Sequence, residues 1–172
     1  MLGRTAQNMF WLSRYIERAE NMARMLEVGY RMSLTSRREG GASEHLVSMM
    51  QAAEVDDLFE ATGLPADVAS VSHFMMFEPT NPSSVYSCLL SARTNARSVR
   101  TALTTEVWET INAAWLEYAQ LKPRDITGGR LQELLQRVKE ISAQFRGAML
   151  GTILRDAGYA FSQIGSYVER AD

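Results

Sequence analysis

Met9-Phe10-Trp11-Leu12-Ser13-Arg14-Tyr15-Ile16-Glu17-Arg18-Ala19-Glu20 is the stretch whose reading decides the fold. Its apolar residues recur three or four apart, and the stripe runs on through Met9, Leu12, Ile16, Ala19, Ala23, Leu26 and Tyr30. That is the period of an amphipathic helix. The helix is expected from about Thr5, as N-cap, to about Arg31. On a wheel at about 100° per residue, Arg14 and Asn21 lie opposite the stripe. Glu17 and Arg18 flank them, each roughly 130° from the stripe centre. Phe10 and Trp11 share that far side. Aromatic residues there predict a second covered face, under other helices, a partner or a ligand.

The same pattern returns at the other end of the chain. Phe161-Ser162-Gln163-Ile164-Gly165-Ser166-Tyr167-Val168-Glu169-Arg170-Ala171-Asp172 aligns with the first stretch so that tyrosine, glutamate, arginine and alanine coincide. Leu12 matches Ile164, Ile16 matches Val168 and Glu20 matches Asp172. The second copy has Gly165-Ser166 where the first has Ser13-Arg14, so it lacks an equivalent of Arg14. Its apolar stripe stops unfinished and without a C-cap. The expectation is one helical domain over 1–172 that forms the N-terminal part of a longer repeat-containing domain.

Between the two copies the sequence reads as helices and loops. Ser33 to Gly41 is polar, with two glycines, and reads as a loop. Helices are expected from near Ser43, over about Val55 to Thr62, and then with Pro65 in the first turn of the next. Another opens at Asn81-Pro82, with asparagine as N-cap and proline at the first helical position. Further helices follow over roughly Thr105 to Leu121, Arg130 to Leu150, and from Thr152 or Arg155 to the end. The fold class is therefore all-α: a bundle of about six to seven helices with a long N-terminal one.

Composition agrees with an ordinary globular chain. The 172 residues are 46% apolar and 22% charged, with a net charge of −2. Nothing there suggests a basic nucleic-acid binder. No apolar run approaches the ~20 residues that span a bilayer, and the N-terminus lacks a signal-peptide pattern. A cytoplasmic protein that meets neither nucleic acid nor membrane is the expectation. The single cysteine, Cys88, rules out an internal disulfide and multi-cysteine zinc sites. His45 and His73 fall in no metal-ligand spacing, so no metal and no cofactor are expected.

Two polar groups are the candidate sites: Arg14, Glu17, Arg18 and Asn21 with Glu169 and Arg170, and the run Arg93, Arg97 and Arg100. Neighbours in sequence do not face each other on a helix, so Glu17 and Arg18 each need a partner from elsewhere. A structural role for the pair is favoured over a polar site for an anionic or peptide-like ligand, and both over direct catalysis. The three arginines share a helix face. Internal ion pairs with Glu17, Glu20, Glu106 or Glu109 are favoured over a bound phosphate or carboxylate.

The opening stretch Asn8 to Asn21 resembles the start of the bacterial Alpha-E family, an all-helical domain of unknown function named for its Glu-Arg motif. Asn81-Pro82-Ser83-Ser84-Val85, Ala92-Arg93-Thr94-Asn95-Ala96-Arg97-Ser98-Val99-Arg100, Glu106-Val107-Trp108-Glu109 and Asn112 agree with it. Tyr167-Val168-Glu169-Arg170-Ala171-Asp172 resembles the family's second Glu-Arg helix. The resemblance implies a longer parent domain and a setting beside ATP-grasp-type ligases and transglutaminase-like proteins. It carries over no catalytic residues. Three functions are therefore weighed: a non-catalytic accessory module for a peptide or amide ligase; an enzyme or anionic-ligand binder that uses Glu17 and an arginine cluster; and a structural helical oligomer.

Overall fold

A computed structural model describes residues 3–35, 41–122, 126 and 129–172. Among them the chain forms eight α-helices and no strand. α1 (Gly3–Thr35) is a 33-residue rod, about 50 Å long. α2 (Gly41–Ala52), α4 (Val68–Phe77), α5 (Val85–Ser98), α7 (Arg130–Thr152) and α8 (Ala157–Ala171) all pack on it. α3 (Asp56–Glu60) is a single turn, and α6 (Thr105–Tyr118) bridges α5 and α7.

The expected stripe of α1 is the axis of the core. Met9, Leu12, Ile16, Ala19, Ala23 and Leu26 are all buried, against residues such as Val85, Leu89, Ala92 and Ala96 of α5. Small residues on α5 let the two helices approach closely. Buried polar groups tie the connecting segments to this core. Asn81 donates to the carbonyl of Phe74 at 3.2 Å and accepts from the amide of Ser83 at 2.9 Å. Tyr118 donates to the carbonyl of Met76 at 2.7 Å.

Several boundaries differ from expectation. Thr5 lies inside α1, which is already helical at Gly3. Ser33 to Thr35 complete α1 instead of starting a loop, and residues 36–40 of that segment lie outside the described residues. Asn81 is not the cap of α5. Its side chain closes a turn on Ser83, and Ser84 caps the helix by accepting from Ser87. Likewise Pro65 precedes α4, whose cap is Asp67. In both places a residue two or three positions downstream caps the helix, its side-chain oxygen reaching the amide three residues on.

The reciprocal Glu-Arg clamp

The two Glu-Arg motifs meet. Contacts step forward together along α1 and α8, from Ser13–Ser162 to Glu17–Arg170, so the helices lie side by side and parallel. Their register is the one in which the sequences align, and the pair is close to two-fold symmetric. Arg170 donates from Nε to Glu17 Oε1 at 2.6 Å and from Nη2 to Oε2 at 3.3 Å. Its counterpart Arg18 donates from Nε to Glu169 Oε1 at 2.6 Å and from Nη2 to Oε2 at 2.9 Å. Each glutamate thus receives the two-toothed guanidinium fork of the other motif's arginine. The adjacent residues Glu17 and Arg18 diverge in space, and a second copy of the pair answers both.

Close approach makes this possible. A Cβ on Gly165 would stand 2.1 Å from the carbonyl oxygen of Phe10, so only glycine fits there. The symmetric contact is that of Ser13 with Ser162, whose hydroxyls lie 2.5 Å apart. Phe10 and Trp11 border the same seam, with the guanidinium of Arg14 5.5 Å from the Trp11 ring centre. The far side of α1 is therefore covered by α8 at Ser13, Glu17 and Asn21, while Phe10 and Trp11 are half-buried at its edge.

The missing counterpart of Arg14 is supplied from a third helix. Arg14 bridges Glu169, at 2.7 Å, and Asp172. The aligned acids on α1 are Glu17 and Glu20. Arg146 of α7 stands beside both, 3.5 Å from Glu17 and 2.5 Å from Glu20. Arg24 adds a further fork to Glu20. Burial alone would raise the Glu20 carboxyl, but hydrogen bonds from Arg146, Ser142 and Arg24 outweigh it and hold the group down at about 2. Arg18 and Arg170 are held above the ordinary guanidinium value, chiefly by their hydrogen bonds to Glu169 and Glu17. Asn21 completes the seam by donating to the Glu169 carbonyl at 3.4 Å.

A cleft of about 730 Å³ opens beside the clamp, lined by Arg14, Arg18, Asn21, Arg24, Glu54, Glu169, Arg170 and Asp172. It looks cationic, yet its guanidiniums already face carboxylates. Arg14 and Arg18 are bound to Glu169, Arg24 to Glu20 and Arg170 to Glu17. An added anion would compete with buried internal partners, which weakens the reading of a phosphate or carboxylate pocket.

The second arginine group stays apart from the clamp. Arg93 donates to Asn112 Oδ1 at 2.9 Å, Arg100 lies over the Trp108 ring at 5.5 Å, and Arg97 is exposed. None of the three forms an ion pair among the described residues, contrary to the expected internal pairing. The reason is that α5 turns Ala92 and Ala96 toward α1, which aims Arg93 at α6 and Arg97 at solvent. Arg146 is the clamp residue that sequence reasoning missed. Its only signal was its place next to the α7 stripe residue Phe145, which is common to many solvated arginines.

Cys88 is fully buried, and burial pushes its thiol up to about 12. A thiol so placed is no nucleophile near neutral pH. The motif glutamates are equally ill-placed for proton transfer. Both oxygens of each are occupied by guanidinium donors, and their side chains are only 5% exposed. A general base needs a free oxygen within reach of a substrate proton. No helix among the described residues is long and apolar enough to cross a membrane.

No curated protein and no solved structure matches the chain. A family model does, over residues 1–172, and its description is a predicted alpha-helical domain with a conserved ER motif. The two Glu-Arg pairs of this sequence stand in mutual contact, and the chain belongs to the Alpha-E family.

Proposed function

We propose that this protein is a non-catalytic helical module, and that its Glu-Arg motif is an internal clamp instead of a reaction centre. The observation that carries this is the saturation of Glu17 and Glu169 by Arg170, Arg18, Arg14 and Arg146. An acid-base role for Glu17 would require breaking a buried fork before any substrate could be reached. The working surface is the cleft beside the clamp, where arginine stems offer apolar contact and the Asn21 side chain a hydrogen bond to a polar, peptide-like partner. The setting the family resemblance implies, beside an ATP-grasp-type ligase or a transglutaminase-like protein in the cytoplasm, makes a ligase or its peptide substrate the partner in this reading.

The test combines the chain with a co-encoded ATP-grasp-type ligase. The expected result is that the chain alone forms and cleaves no amide bond, and that its addition raises ligase-dependent product. Amide chemistry by the chain alone, abolished in a folded Glu17→Gln variant, would overturn the proposal in favour of an enzyme.

A further inference from the structure

The seam between α5 and α6 holds cations without anions. Three contacts join the two helices antiparallel: Tyr86 with Trp115, Arg93 with Asn112 and Arg100 with Trp108. Arg93, Arg97 and, just past α5, Arg100 line its α5 side at spacings of four and three residues. Glu106 and Glu109 on α6 are exposed, and among the described residues no acid pairs with the three arginines. Like charges on one helix face repel. The dipole of α5 favours Arg97, in the last turn, and not Arg93 a turn earlier. These guanidiniums are held in place without being used up. Arg93 gives its Nε to Asn112 Oδ1, and its two terminal nitrogens have no partner among the described residues. Arg100 lies over the Trp108 ring, a contact that leaves its N–H donors free. The clamp arginines differ, because their forks are filled by carboxylates.

Spacing and surroundings say what would meet them. Asn112 and Trp108, which anchor Arg93 and Arg100, stand one turn apart on α6, about 6 Å along the seam. Alternate residues of an extended peptide project to one face about 6.6 Å apart. Two carboxylates so placed match the two anchored guanidiniums, each as a charge-assisted pair. Leu90 and Leu116, one turn from Arg93 and Asn112 at the same end of the seam, are exposed and suit an apolar side chain of a polypeptide. A single-stranded nucleic acid fits less well. The rings it would stack on are engaged, Trp108 by Arg100 and Trp115 by Tyr86. The exposed Glu106 and Glu109 would also repel a continuous phosphate chain. We infer that the α5–α6 seam is a second binding surface, apart from the cleft beside the clamp, and that it takes an acidic polypeptide segment with carboxylates on alternate residues.

Fluorescence anisotropy of the full chain with a labelled peptide of alternating glutamate and serine tests this. Saturable binding is expected, weakening as salt rises. The same peptide with glutamine in place of glutamate is expected not to bind. Arg97 is exposed, so Arg97→Glu leaves the fold intact and should weaken binding by about tenfold or more, the loss of one charge-assisted contact. Arg93→Gln and Arg100→Gln should each weaken it too, with an unchanged helical spectrum. Arg137→Gln removes the same charge as Arg93→Gln, from the pair that α7 makes with Glu117, and should leave binding unchanged. No saturable binding of the glutamate peptide overturns the inference. So does binding that Arg137→Gln weakens as much as Arg93→Gln, which would mean general charge attraction. Displacement of the peptide by an equal concentration of inorganic phosphate, or tighter binding of a single-stranded oligonucleotide, overturns it as well. None of these results bears on the cleft beside the clamp, which shares no residue with the seam.

Discussion

A glutamate that is 5% exposed is stable only with its partners in place. Glu17 and Glu169 are desolvated by the helix pair and recovered by guanidinium forks, while Arg170 keeps 45% of its side chain in water. The arginines are therefore the removable half of each pair. Arg18→Met is expected to cost about 1–3 kcal/mol in urea denaturation, because it leaves the buried Oε1 of Glu169 without its donor while Arg14 still holds Oε2. Replacing Arg137 in its exposed pair with Glu117 should cost under about 1 kcal/mol. Acid supplies a second check at this scale. The Glu20 carboxyl lies at about 2 when folded, below its ordinary 4.5, so folding binds fewer protons than the open chain. Its stabilising share is present above about pH 4.5 and is lost as pH falls towards 2. Thermal melts from pH 6 to pH 2 should show that decline, and Glu20→Gln should flatten it.

For single helices, periodicity found the stripes and their lengths, because apolar spacing is a local property. It did not tell which side of α8 would pack. That choice rests on glycine and serine, whose small volume lets α1 come within reach on the polar side, and sequence periodicity gives small residues no weight. The same blindness hid the cap of α5, where Asn81 and Ser84 are both good capping residues and tertiary contact of Asn81 with Phe74 decided between them. Gly165→Ala tests the seam. With the Phe10 carbonyl in the way, the helices must part, and we expect a loss of roughly 1–3 kcal/mol with a lowered melting temperature. Gly147→Ala on α7, where an added Cβ meets nothing within 4 Å, should be neutral or slightly stabilising.

Across the whole molecule, the clamp joins the first helix to the last. Most of the chain lies between Glu17 and Glu169, so closing this contact joins the two ends of a bundle in which α1 also packs on α2, α4, α5 and α7. The all-α class, the long first helix and the doubled motif were all readable from the sequence. The pairing of the two motif copies was not, because a repeat says that two segments are alike and not that they touch. Nor was the third-helix arginine, since Arg146 resembles the motif in no way. The central claim is that each glutamate is held by the other motif's arginine. A double-mutant cycle on Glu17→Gln and Arg170→Gln in urea denaturation tests it most directly. The account predicts that the double variant loses less than the sum of the singles, by about 1–3 kcal/mol. Losses that add within about 0.3 kcal/mol would contradict it.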